Sequence, residues 1–168
     1  MGRARVGGLA PALAGLLALV GCTAQGERGL PREPGQAEVT RVVDGDTIEV
    51  RVGGAVETVR LLGIDTPESV DPRSPVECFG REASEHTASL LPPGTPVVLV
   101  RDVEARDRYD RLLAYVYRSG DGAFVNHVLV RDGFAAVLTY PPNVAHAAEL
   151  TAAARQARDE GRGLWSAC

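Results

Sequence analysis

Three short apolar–polar alternations, separated only by tight turns, occupy residues 38–64 of the 168-residue chain. "EVTRVV" (38–43) and "TIEVRV" (47–52) carry the period of two expected of a strand with one buried face. Between them lies Asp44-Gly45-Asp46, and Asp-Gly is a strong hairpin signal because glycine takes the positive φ such turns need. Gly53-Gly54 gives a second tight turn into "VETVRLLGI" (56–64). Connections this short make neighbouring antiparallel strands, so the segment reads as a meander.

Farther on, "REASEHTASLL" (81–91) has apolar residues at helical spacing and is ended by Pro92-Pro93-Gly94. "PVVLVRD" (96–102) and "RLLAYVYR" (111–118) read as strands. "FVNHVLVRDG" (124–133) and "AHAAELTAAARQARDEG" (145–161) read as helices stopped by glycine. The order β-β-β-α-β-β-α-α suits a mainly β fold with helices, a closed or partly closed antiparallel barrel, better than a βαβ sheet.

Ahead of this domain, Arg3 and Arg5 precede the apolar run "LAPALAGLLALV" (9–20), too short to span a bilayer comfortably. A basic start, a short apolar middle and a small-residue exit make an export signal. The exit "LVGC" (19–22) resembles the lipobox of bacterial lipoproteins, in which the cysteine becomes the lipid-bearing N-terminus. The expected organisation is a signal peptide at 1–21, a Gly- and Pro-rich tether at 22–37, and a folded domain at 38–168. On this reading the protein is exported to the cell envelope and anchored to the membrane through Cys22. Ordinary signal cleavage, with Cys22 incidental and the protein secreted, is the alternative.

With Cys22 assigned to lipid, Cys78 and Cys168 are left as a disulfide pair in an export context; two unrelated thiols are the alternative. All 18 basic residues are arginine against 22 acidic ones, a net charge of −4. Removing the signal takes Arg3 and Arg5 with it and leaves −6, from 16 positive and 22 negative side chains. Such a balance argues against broad non-specific attraction to nucleic acid, so a polyanion must be held by a local cluster or a bound cation.

Four stretches carry chemistry: "DGDT" (44–47), Arg60 on the third strand, "DTPE" (65–68) and "DRYDR" (107–111). Each has an ordinary reading alone, as turn, helix entry or charged strand edge. In this order and spacing they resemble the staphylococcal nuclease (thermonuclease) family over about residues 38–166. "RLLGIDTPE" is the most specific segment, and "DRYDRLLAYVY", "VNHVLVRDGFA", "YPPN" and "GLW" fall where that family has similar ones. The resemblance implies a five-stranded Greek-key barrel of the OB type with three α-helices. It also implies calcium-dependent hydrolysis of DNA and RNA, endo- and exonucleolytic, leaving 3′-phosphates.

Carried over residue by residue, Asp46 and Asp65 are calcium ligands, Thr66 adds its backbone carbonyl, and Asp44 supports the site from behind. Glu68 holds the attacking water, Arg60 and Arg111 grip the scissile phosphate, and Tyr109 and Tyr140 line the nucleotide pocket. The chemistry agrees with these roles. A hard cation with oxygen ligands neutralises phosphate, a carboxylate orients water, and planar guanidinium groups match the equatorial phosphoryl oxygens. A non-catalytic nucleic-acid-binding barrel of the same family is the alternative, although its degenerate members lack the carboxylates or arginines present here.

Two departures stand out. Asp110 replaces a glycine common in the family and brings negative charge near Arg111. The acidic balance also favours single strands or short fragments over long duplex. The protein is expected to act as a monomer. His86, His127 and His146 are scattered and read as surface or helix-face histidines, and Trp165 as a residue packing the C-terminal segment onto the body.

Overall fold

The computed structural model describes residues 35–69 and 76–168. The signal segment, Cys22 and residues 22–34 of the expected tether lie outside those residues. In chain order the elements are β1 (Gly35–Val42), β2 (Thr47–Val52), β3 (Ala55–Leu61), β4 (Ile64–Asp65), α1 (Gly80–Leu90), β5 (Pro96–Val100), β6 (Leu112–Arg118), α2 (Val125–Arg131), β7 (Ala136–Val137), α3 (Ala147–Asp159) and the single turn α4 (Leu164–Ala167). Among the described residues no helix is long and apolar enough to cross a membrane.

Five strands close into a barrel in the order β1-β2-β3-β6-β5, with β5 pairing back onto β1. The alternations set its interior: Val39, Ile48, Val50, Val59 and Val97 are fully buried, while Glu38, Arg51 and Pro96 beside them are exposed. Each such side chain is worth about 1.5–3 kcal/mol of burial. β6 is buried on both faces: Leu112, Ala114 and Val116 join the main core, while Leu113 and Tyr115 pack with Leu62 in a second cluster. Helix α3 closes the core with Leu150, Ala153, Ala154 and Ala157, one stripe at helical spacing.

The expected all-antiparallel barrel needs one correction, because β3 and β6 run parallel. An odd number of strands in a closed ring cannot alternate direction throughout, so one parallel seam is unavoidable. β1 also begins at Gly35, earlier than its alternation suggests, because residues 35–38 pair with β5. The predicted strand 56–64 breaks at Gly63, whose φ of 78° turns the chain out of the barrel. Ile64 and Asp65 then pair with Val137 and Ala136 in a small second sheet. That break delivers Asp65 to the site. Cys78 and Cys168 are bonded, with Cα atoms 6.0 Å apart, which ties the chain end to the start of α1.

Candidate active site

The Asp44–Asp46 segment is a turn, though not the one its sequence suggests. Val43 N–H and Asp44 N–H both donate to Thr47 O, at 2.9 and 3.2 Å, and Asp46 N–H donates to the Asp44 carboxylate at 3.0 Å. Gly45 has no positive φ; glycine is needed because a Cβ there would lie 2.5 Å from Thr66 Oγ1. The turn is thus pressed against the loop that follows β4. Asp46 Oδ2 accepts Thr66 N–H at 3.0 Å and Thr66 Oγ1–H at 3.3 Å, while Oδ1 accepts Thr47 Oγ1–H at 3.1 Å.

Arg60 joins the two carboxylates. Its Nη2 lies 3.0 Å from Asp46 Oδ2 and 2.9 Å from Asp65 Oδ1. Its Nη1 donates to Leu61 O at 2.7 Å and Ile64 O at 2.8 Å, so the guanidinium also shapes the bend between β3 and β4. Glu68 is placed through its main chain. Its N–H donates to the Glu77 carboxylate at 3.0 Å, and its carbonyl accepts Glu77 N–H at 2.9 Å. Gly80, at the start of α1, packs so closely that a Cβ would come within 2.5 Å of Glu68 O.

The electrostatics are those of a crowded acidic cleft. Burial, followed by repulsion from Asp46, pushes the Asp44 carboxyl up to about 6, against hydrogen bonds that favour its charge. Burial also raises Asp65; Arg60 pulls it down, but Asp46, Glu77 and Glu68 add to the upward push. A partly desolvated, mutually repelling set of carboxylates with only oxygen donors suits a hard cation. Among the described residues no three His, Cys, Asp or Glu side chains group as metal ligands.

Arg111 stands across from this cleft on a tight turn. Arg106 and Leu112 pair at its base, Asp110 N–H donates to Asp107 O at 3.1 Å, and Asp110 sits at a φ of 65°. That conformation explains why a glycine suits the position. Asp107 accepts the Arg111 Nε–H at 2.7 Å and its backbone N–H at 2.9 Å. Burial works against the Asp107 charge, but hydrogen bonds from Arg111 and from Tyr109 N–H outweigh it and hold the carboxyl below its usual range. Asp110 does not turn on Arg111 as its sequence position suggests: its carboxylate is highly exposed and lies 3.6 Å from Arg106 Nε.

A cavity of about 490 Å³ joins the two arginines, with Arg60, Arg111, Tyr109, Tyr140 and Asn143 in its wall. Tyr109 and Tyr140 are both well exposed. The Tyr109 ring lies beneath Arg108 and Arg111, with guanidinium carbons 4.7 and 5.4 Å from its centroid. Arg60 therefore links two groups of sequence-predicted residues: it meets Asp46 and Asp65 directly and shares a cavity wall with Tyr109, Arg111 and Tyr140, while Cys78 and Cys168 form their bond elsewhere.

Three supporting residues escaped sequence reading. Buried Thr87 of α1 donates to Gly45 O at 2.7 Å and holds the acidic turn. Buried Asn143 accepts Val103 N–H and Glu104 N–H at 3.1 and 2.9 Å, linking the Tyr140 loop to the segment that leads into the Arg111 turn. Asn126 bridges Val116 N–H and Leu62 O. A lone Thr or Asn in a helix or loop carries no sequence signal for a long-range partner. The histidines pack against aromatic or acidic neighbours: His86 stacks on Phe134, His127 lies beside Phe124, and His146 meets Glu149. Trp165 packs under Arg158 of α3.

Residues 58–167 match the family model described as staphylococcal nuclease homologue. The chain is 38% identical over 129 residues to the thermonuclease of Staphylococcus hyicus, covering 77% of this chain and 75% of the relative. It is 41% identical over 127 residues to the thermonuclease of Staphylococcus intermedius, covering 76% and 74%. To the SPbeta prophage-derived endonuclease YokF of Bacillus subtilis (strain 168) it is 40% identical over 127 residues, 75% of this chain and 42% of the relative. Barrel, acidic cleft and relatives together define a hydrolase of nucleic-acid phosphodiester bonds. The chain belongs to the staphylococcal nuclease family.

Proposed function

We propose that this chain is an exported, calcium-dependent nuclease that cleaves DNA and RNA and leaves 3′-phosphate ends. The observation that carries the reading is the placement of Arg60. One guanidinium touches both Asp46 and Asp65 and lines the same cavity as Arg111. Asp46, Asp65 and the Thr66 carbonyl would hold calcium, with water completing its shell. Asp44 supports them by accepting Asp46 N–H. Bound calcium supplies charge neutralisation of the phosphate and orientation of the water. Glu68 orients that water and takes up its proton. Arg60 and Arg111 bind the equatorial oxygens, where charge builds in the transition state. Tyr109 and Tyr140 offer ring faces to the nucleotide. The enzyme acts as a monomer, tethered through lipid on Cys22.

The test is cleavage of labelled single-stranded DNA by the full chain, with calcium and with a chelator, beside Glu68→Gln. Cutting that needs calcium and falls by about 10²–10⁴ in the variant is expected. A folded protein that binds the strand and never cuts at any calcium concentration overturns the enzyme in favour of a binding module. For the anchor, Cys22→Ser should release the protein from the membrane fraction; retention would refute the lipid tether.

A further inference from the structure

We propose that Glu57 and Arg106 form a positioning pair that fixes the phosphate-gripping turn to the strand carrying Arg60. The inference rests on the reading that Arg60 and Arg111 share one phosphate. Arg106 meets Glu57 through two parallel hydrogen bonds, Nη1 to Oε2 at 3.0 Å and Nη2 to Oε1 at 3.1 Å. The same Nη1 donates to Asp110 O at 2.6 Å, and Nε faces the Asp110 carboxylate at 3.6 Å. Both partners of the main pair are largely shielded, with side-chain exposures of 29% and 26%. Bidentate geometry with partial burial separates this pair from ordinary surface ion pairs.

Topology gives the pair its purpose. Glu57 lies on β3, three residues before Arg60. Arg111 lies just beyond the turn at 107–110, whose own bonds are short-range ones among Asp107, Tyr109, Asp110 and Arg111. Asp110 occupies a left-handed φ of 65°, a conformation that an L residue adopts less readily than glycine. Arg106 grips the carbonyl of that residue and so holds the turn in its strained form. It also draws the Asp110 carboxylate toward itself. The two phosphate-binding guanidiniums are thereby referenced to one strand, Arg60 directly and Arg111 through Glu57, Arg106 and Asp110. Arg106 stands in the cavity wall with its guanidinium engaged by Glu57 and Asp110, so its role is to position Arg111.

Three variants of the full chain test this: Arg106→Gln, Glu57→Gln and the double variant. Each should raise the KM for a short single-stranded oligonucleotide by about tenfold and change kcat by less than about threefold, because the grip is misplaced before chemistry begins. The double variant should be no worse than either single one, since all three break the same contact. Amide exchange at Asp110 and Arg111, read without substrate, should quicken in all three, while urea stability should barely change. Additive effects in the double variant, a fall in kcat at constant KM, or unchanged exchange at these amides would each overturn the pair. A wild-type protein that neither binds nor cuts refutes the phosphate reading separately; the exchange result still decides the pair.

Discussion

A single hydrogen atom, the side chain of Gly45, lets the Asp44–Asp46 turn touch the Asp65–Glu68 loop. A methyl group in its place would lie 2.5 Å from Thr66 Oγ1 and 2.8 Å from Thr66 Cβ and Cγ2. Thr66 cannot step aside cheaply, because its N–H and hydroxyl both hold Asp46 Oδ2. The Gly45 backbone is not left-handed, so the cost of alanine is the clash alone. Gly45→Ala should therefore separate the two loops by a few tenths of an ångström or more. The expected stability loss is about 1–3 kcal/mol by urea unfolding. The rate of cleavage at saturating calcium should fall by at least about tenfold, because misplaced ligands and nucleophile lose orientation. A variant with full activity would show that the two loops do not work as one site.

Among the elements, Thr87 shows how a helix can serve a site it does not enter. Its hydroxyl, buried in α1, donates to Gly45 O and fastens the acidic turn to the helix. Thr87→Val keeps the shape and removes the donor, leaving a buried carbonyl unpaired at a cost of about 1–3 kcal/mol. Urea unfolding should show that loss, and half-saturation by calcium should move to higher concentration; stability equal to wild type would mean the carbonyl finds another partner. The same contact marks where sequence reading stops. The strands were legible because alternation is local, and "DGDT" with "DTPE" was legible because its chemistry is dense. Partners such as Thr87 with Gly45 and Asn143 with Glu104, 42 and 39 residues apart, follow from chain closure. So does the parallel β3–β6 seam, which five strands in a ring impose and no single segment encodes.

At the scale of the whole molecule, two long-range constraints act, one covalent and one electrostatic. The Cys78–Cys168 bond spans a separation of 90 residues and anchors α4, whose single turn has no buried residue of its own. Opening a loop of that size is worth roughly 4–5 kcal/mol in the chain-entropy model. Urea unfolding with and without reductant should differ by about 2–4 kcal/mol, and equal midpoints would mean the bond does little in solution. Charge sets the reach of the binding surface. The chain carries −4 overall, yet the cavity wall gathers Arg60, Arg106, Arg108 and Arg111, with Arg106 bound to Glu57. A strand gripped by about three guanidiniums releases few counterions, so the logarithm of binding affinity should fall with log salt at a slope near −2 for single strands. Lengthening the substrate adds phosphates to a chain of net negative charge, so affinity should level off once the cavity and its rim are filled. Long duplex, which adds stiffness and charge without new cationic partners, should bind more weakly than an oligonucleotide at equal salt and fixed calcium. Titrating both substrates across salt concentrations decides the matter: a slope steeper than about −4, or a lower KM on long duplex, would require a second basic surface.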